Sequence, residues 1–174
     1  MPQPPGSGTL AEQLADLKRQ IAELSRSSPS FPACRVRPTQ DLGLSAGDNL
    51  AATNWTPQED PQDWFTRASP SYITIPVTGF YLLNYHCNAS GPSPAERLAC
   101  KIQRNSTSVT DSIASDISSY TPTEGAICNA FRARIRLDAG DKLYWSTYSS
   151  VASTLRLTQF GVLTEITVQF VSSR

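Results

Sequence analysis

Apolar residues at Leu10, Leu14, Leu17, Ile21 and Leu24 recur at alternating steps of four and three. This spacing puts Leu10, Leu17 and Leu24 at d and Leu14 and Ile21 at a of a heptad, with Asp16, Arg19 and Glu23 outside it. It predicts a helix over 9–25 whose narrow apolar seam faces other copies of the chain. Thr9 stands at its N-cap and Glu12 three residues later, a capping-box pattern. About two heptads are too few for a coiled coil to hold by itself, so the helix needs the rest of the chain or a partner.

Beyond a Ser/Pro-rich hinge at 26–32 the period changes to two. Tyr81, Leu83, Tyr85 and Cys87 share one parity, and Leu98, Cys100 and Ile102 share another. Phe131, Ala133, Ile135 and Leu137 alternate with Arg132, Arg134 and Arg136. Phe160, Val162, Ile166, Val168 and Phe170 lie opposite Glu165, Thr167 and Gln169. Such runs predict half-buried strands, and the Gly, Pro, Asn and Ser clusters between them predict turns. With many short strands and no second helix, the pattern implies an all-β sandwich or jelly roll. The expected organisation is a docking leader over 1–8, the coiled-coil helix over 9–25, the hinge over 26–32 and a β-head over 33–174.

The chain has 174 residues, with 15 basic and 15 acidic side chains. That balance gives no field to attract nucleic acid or an anionic membrane. No apolar run reaches the ~20 residues of a membrane span. The stretch Met1 to Gly8 lacks the basic and apolar regions of a secretory signal, so none is expected. The four cysteines, Cys34, Cys87, Cys100 and Cys128, contain no close pair, and the single histidine, His86, adjoins Cys87. Neither a metal nor a cofactor is expected from that spacing. A Cys87–Cys100 disulfide and buried reduced thiols both remain open.

No catalytic set stands out. A triad would have to centre on His86, which has no orienting acid beside it in the sequence. Glu59, Asp60 and Asp63 lack the order of a calcium loop and read as a solvated turn, and a Gly-Lys-Ser/Thr phosphate loop is absent. The row Arg132, Arg134, Arg136 reads as a solvent-facing or cross-strand-paired row rather than a site for an anionic ligand, or, in a trimer, as an inter-subunit row paired with Glu165 or Asp141. Sequons at Asn54, Asn88 and Asn105 read as chance matches in a Ser/Thr-rich chain. Trp55 and Trp64 are expected in the core or a subunit interface. The best binding candidates are loops: 88–96, 106–125 and 147–154. There Asn88, Ser90, Tyr120, Tyr148 and the neighbouring Trp145 supply rings and hydroxyl-bonding groups suited to a glycan.

Three pieces then bring a family into view. Residues 75–85, Ile-Pro-Val-Thr-Gly-Phe-Tyr-Leu-Leu-Asn-Tyr, carry Gly79 and Tyr81 at a strand entry. Residues 137–145 carry Gly140 and Asp141 at a tight turn, and Phe160-Gly161 opens a closing strand. In this order they resemble the globular head of complement C1q and the wider tumour-necrosis-factor-like jelly rolls. The resemblance implies a ten-strand, two-sheet jelly roll, here with a short N-terminal coiled-coil helix, assembled as a homotrimer that binds through loops without catalysis. A coiled-coil stalk in place of collagen repeats is similar to the jelly-roll heads of bacteriophage tail fibres and minor tail proteins. The resulting expectation is a virion protein, docked to other tail or capsid proteins through its N-terminus and binding a host-surface glycan or protein. A trimeric capsid decoration or head-fibre protein with a structural role is the alternative.

Overall fold

The computed structural model describes residues 14, 18, 32–90, 96–119, 125–159 and 161–173. The chain divides between residues 30 and 31, and the second unit, 31–174, is described here by itself. Its strands in chain order are β1 (Ala33–Pro38), β2 (Leu42–Leu44), β3 (Gly47–Leu50), β4 (Trp55–Glu59), β5 (Phe65–Thr66), β6 (Tyr72–Thr74), β7 (Gly79–Ser90) and β8 (Arg97–Arg104). They continue with β9 (Ser112–Ser119), β10 (Ala126–Leu137), β11 (Lys142–Ser149), β12 (Ser153–Arg156), β13 (Thr158–Gln159), β14 (Val162–Leu163) and β15 (Glu165–Ser172).

Two antiparallel sheets enclose one core. The first runs β2-β12-β7-β15-β1-β4, with β10 along the other edge of β7. The second runs β5-β6-β11-β8-β9, with β3 also paired to β11. A short pair, β13-β14, stands apart. This is the expected two-sheet, jelly-roll-like architecture, but the described residues form fifteen strand segments rather than ten strands. The extra pieces arise where the chain changes sheet. Between Leu44 and Gly47 it crosses from the first sheet to the second, and Gly47 takes a φ of 106° there. That backbone conformation strongly favours glycine.

Of the expected stalk, Leu14 and Lys18 are described; both have helical backbone, and Leu14 is exposed. Leu10, Leu17, Ile21 and Leu24 lie outside the described residues. No continuous helix is present among the described residues, so the coiled coil rests on spacing alone.

The alternation predicted for β7 and β8 is realised: Tyr81, Leu83, Tyr85, Cys87, Leu98, Cys100 and Ile102 are all buried. Tyr81 buries its ring and donates its hydroxyl to the Val77 carbonyl at 2.7 Å. Gly79 is required by close approach: a Cβ there would lie 2.6 Å from Phe170 Cε2 and 2.7 Å from the Ser172 carbonyl.

In β10 the expected parity is corrected. Cys128 and Ala130 face the core while Phe131 is 51% exposed; further along, Leu137 faces in. The register against β7 shifts between Arg132 and Ile135, so the inward parity switches across that irregularity. Such a shift re-aims every side chain beyond it. The single run Phe131-Ala133-Ile135-Leu137 therefore does not share one buried face. The final strand also begins later than its apolar parity implied. Phe160 lies outside the described residues, β14 holds Val162, and only Ile166, Val168 and the partly buried Phe170 continue in β15.

The turn at 138–141 is built on Asp141. Gly140 takes a φ of 88°, and Asp141 Oδ2 accepts the Asp138 N–H at 2.8 Å. Asp141 Oδ1 accepts the Asn105 amide at 2.6 Å, and Arg104 Nη2 lies 2.7 Å from Oδ2. Burial pushes this carboxyl up, but the Asp138 N–H, Asn105 and Arg104 outweigh it and hold it below the usual range. A folded-state value below the unfolded one, ~3.9, means the stabilisation is present above that pH and disappears as pH falls through the folded value. We expect Asp141→Asn to cost about 2 kcal/mol at neutral pH. It should also flatten the acid limb of a urea-midpoint-against-pH series; an unchanged acid limb would show that the turn does not depend on this charge.

Candidate functional site

The two sheets do not close completely where β2 and β3 part. A cleft of about 400 Å³ opens at that edge, bounded by β2, β3, β4, β7, β11 and β12. Its size is that of small-ligand sites. Trp55, Tyr85 and Trp145 line it and meet edge-to-face, with ring centroids 6.1 Å (Trp55–Tyr85) and 5.3 Å (Trp55–Trp145) apart. Tyr85 and Thr147 share a hydroxyl–hydroxyl bond of 2.5 Å beside them. The buried Trp145 Nε1 has no hydrogen-bond partner. Buried donors are satisfied in the great majority of cases, so this one calls for an acceptor.

The rim is polar. Asn54 and Asp41 are exposed there. Asp41 is held in place by Leu157 N–H at 2.8 Å and Arg156 Nη1 at 2.7 Å, and these bonds, Leu157 first, keep its carboxyl below the usual range. Asn49 fixes the β2–β3 crossing by accepting from Ser45 N–H at 3.0 Å and donating to the Ser45 carbonyl at 2.9 Å. An aromatic floor under an anionic and amide rim can stack on a ring face and accept hydroxyl protons. The cleft holds no histidine and no cysteine among its lining residues.

Several residues singled out from the sequence sit elsewhere. Asn88 is fully buried: its backbone N–H donates to Thr164 Oγ1 and its amide to the Val162 carbonyl at 2.9 Å, so it is no loop-tip contact. Trp145 is 1% exposed and belongs to the core floor of the cleft, not to a loop. Thr147 to Ser149 are strand, because β11 runs on to Ser149. Tyr148, on the opposite face of β11 from the cleft, has Lys101 Nζ 5.6 Å from its ring centroid. Ser90 accepts Arg156 Nε at 3.0 Å. Tyr120 lies outside the described residues. Asp41, Asn54 and Tyr85 were not singled out for binding, since they are far apart in sequence and only the closure of the sandwich brings them together.

The outward face of the first sheet carries a different set. Ile127 and Phe131 are exposed apolar residues on β10. Arg134 lies 4.2 Å from the Phe80 ring centroid, and Arg136 is 4.0 Å from Asp138. Within the chain, Glu165 and Asp141 are engaged by other arginines. Glu165 is bound by Arg37 at 2.6 Å and Arg35 at 3.4 Å, and Asp141 by Arg104. His86 Nδ1 is 3.2 Å from the Leu163 carbonyl, a bond that orients the ring without a carboxylate. Asp60 is structural: its carboxylate accepts the Trp64 and Phe65 N–H groups at 2.7 and 2.9 Å. Trp55 and Trp64 are core residues.

No protein-family model matches the sequence, and none of the curated proteins does. Solved structures are similar in fold. Murine APRIL at pH 5.0 aligns with TM-score 0.60 and 13% identity over 82% of this chain and 100% of that one. The Eiger TNF of S. frugiperda aligns with TM-score 0.57 and 15% identity over 83% of this chain and 94% of that one. With the sheet order above, these likenesses show that the head has a TNF-like jelly-roll fold.

Proposed function

We propose that this chain is the non-catalytic recognition head of a bacteriophage particle: a homotrimeric tail-fibre or minor tail protein that binds a hydroxyl-rich glycan of the host surface. In this reading the N-terminal leader and coiled coil dock the trimer to other virion proteins, and the head points outward. The observation that carries the ligand assignment is the cleft, with Trp55, Tyr85 and Trp145 beneath the polar rim of Asp41 and Asn54. A sugar offers an apolar ring face to the floor and hydroxyl groups to the rim and to the unpaired indole N–H. The exposed Ile127 and Phe131 support self-association, since paired apolar side chains on a sheet face are covered economically by a second copy. Three modest sites per trimer then raise avidity by ~10²–10⁴ over a single site.

The test is binding of the purified full chain to host envelope glycans, alongside adsorption and assembly of particles carrying the same change. Asn54→Ala removes an exposed rim amide without touching the core. It should weaken glycan binding about fivefold, the worth of one hydrogen bond, while particles assemble normally. Unchanged binding and adsorption would sink the glycan-cleft reading and leave the structural decoration role.

A further inference from the structure

At the edge of the sandwich opposite the cleft, three cysteines from three strands converge. Cys128 of β10 stands directly opposite Cys87 of β7, and Cys100 of β8 directly opposite Asp116 of β9. The Sγ atoms of Cys100 and Cys128 and a carboxylate oxygen of Asp116 lie within 4.8 Å of one another. Cys87, paired with Cys128 across the β7–β10 ladder, is fully buried beside it. All four cysteines of the chain are free thiols. Two sulfurs on one zinc-sized ion, at about 2.3 Å each, can be no more than about 4.6 Å apart. The 4.8 Å bound on the separations of these ligand atoms is close to that limit.

The backbone around the cluster supports ligand atoms. Ala130 N–H donates to Cys100 Sγ at 3.0 Å, and Asn129 N–H donates to Asp116 Oδ2 at 2.8 Å. Bonds of this kind hold thiolate and carboxylate ligands in orientation around a metal, whereas cysteines that merely fill apolar space need none. Cys128 Sγ donates to the Leu98 carbonyl at 3.0 Å, which orients the sulfur. The sulfurs are buried but Asp116 is exposed on the edge strand β9, which leaves an entry path.

We propose that Cys100, Cys128 and Asp116 bind one thiophilic metal ion of the zinc type. Two sulfurs and one oxygen supply three corners of a tetrahedron and leave the fourth to water or to a further side chain. The ion would tie β8 and β9 of one sheet to β10 of the other, stapling the edge that the hydrogen-bond ladders leave unjoined. Binding exchanges thiol protons for metal–sulfur bonds and so releases protons to solvent.

The test uses the full chain, reduced and freed of metal by a chelator, then titrated with Co(II). One equivalent should bind, giving sulfur-to-cobalt charge-transfer absorption and the intense visible bands of a tetrahedral ion, both bleached by Zn(II). Cys128→Ser should remove about half of the charge-transfer intensity, in proportion to the sulfurs lost. Because a core substitution can unfold the head, Asp116→Asn at an exposed position gives an independent reading. It should keep the sulfur bands, shift the visible ones and weaken Co(II) binding at least about tenfold. Cys34→Ser, outside the cluster, should change nothing. A folded wild-type chain with no charge-transfer band overturns the proposal, as do identical spectra for wild type and Asp116→Asn, or loss of binding in Cys34→Ser.

Discussion

Trp145→Ala should lower the unfolding free energy of the head by about 3–5 kcal/mol, the usual cost of emptying a large aromatic site in a core. Trp145 is 1% exposed and meets Trp55 edge-to-face at 5.3 Å, with Phe65 at 6.4 Å on the far side. It thus joins β4 and β5, which belong to different sheets, so the void would open between layers rather than within one. Rigid backbone ladders on both sides prevent collapse into the gap, which places the cost toward the upper part of the range. Urea denaturation reads it as a lower midpoint with the same slope. A loss under about 1 kcal/mol would mean that the side chain is not the keystone its burial indicates. Trp145→Phe separates packing from recognition. It keeps most of the ring contact but deletes the unpaired indole N–H. On the glycan reading it should weaken ligand binding while the urea midpoint moves far less than in Trp145→Ala.

Phe131→Asp should convert the proposed trimer into a folded monomer. Phe131 is half exposed in the single chain, so the substitution removes little that holds the head together. In an assembled trimer each copy would lose about 1.5–3 kcal/mol of apolar burial. Each would also place a carboxylate in a desolvated contact, at a further cost of several kcal/mol. The loss recurs in every protomer, so the monomer–trimer midpoint should move by orders of magnitude in concentration. Sedimentation equilibrium measures this directly, with thermal unfolding in parallel to show an intact head. A trimer of unchanged stability would remove this face from the interface, and a wild-type chain that is monomeric would remove the avidity mechanism altogether.

Some of this protein could be read from its residues in order. The alternation of Tyr81, Leu83, Tyr85 and Cys87 needs only a strand and one apolar side, and those residues are all buried. The turn at Gly140-Asp141 is a local matter of a positive φ and a short polar side chain, and it forms where the pattern placed it. Gly79 at the strand entry reflects a close approach that a Cβ would block, though its obstacles, Phe170 and Ser172, lie on a distant strand. Other readings failed because alternation carries no information about register. Phe131 and Leu137 share a parity, yet a shift against β7 between Arg132 and Ile135 puts one outside and the other in the core. Asn88 resembles a polar loop residue until Val162 and Thr164 fold over it and accept its side-chain amide and backbone N–H.

The sequence alone determined the fold class, the main strands and the apolar side of β7 and β8, because each depends on side chains two residues apart on one extended segment. Only the tertiary structure decided the aromatic-floored cleft and the cysteine cluster. Their members come from strands as far apart in sequence as β2 and β12, and where those strands meet is set by the pairing of whole sheets and by the repeated crossing of the chain between them.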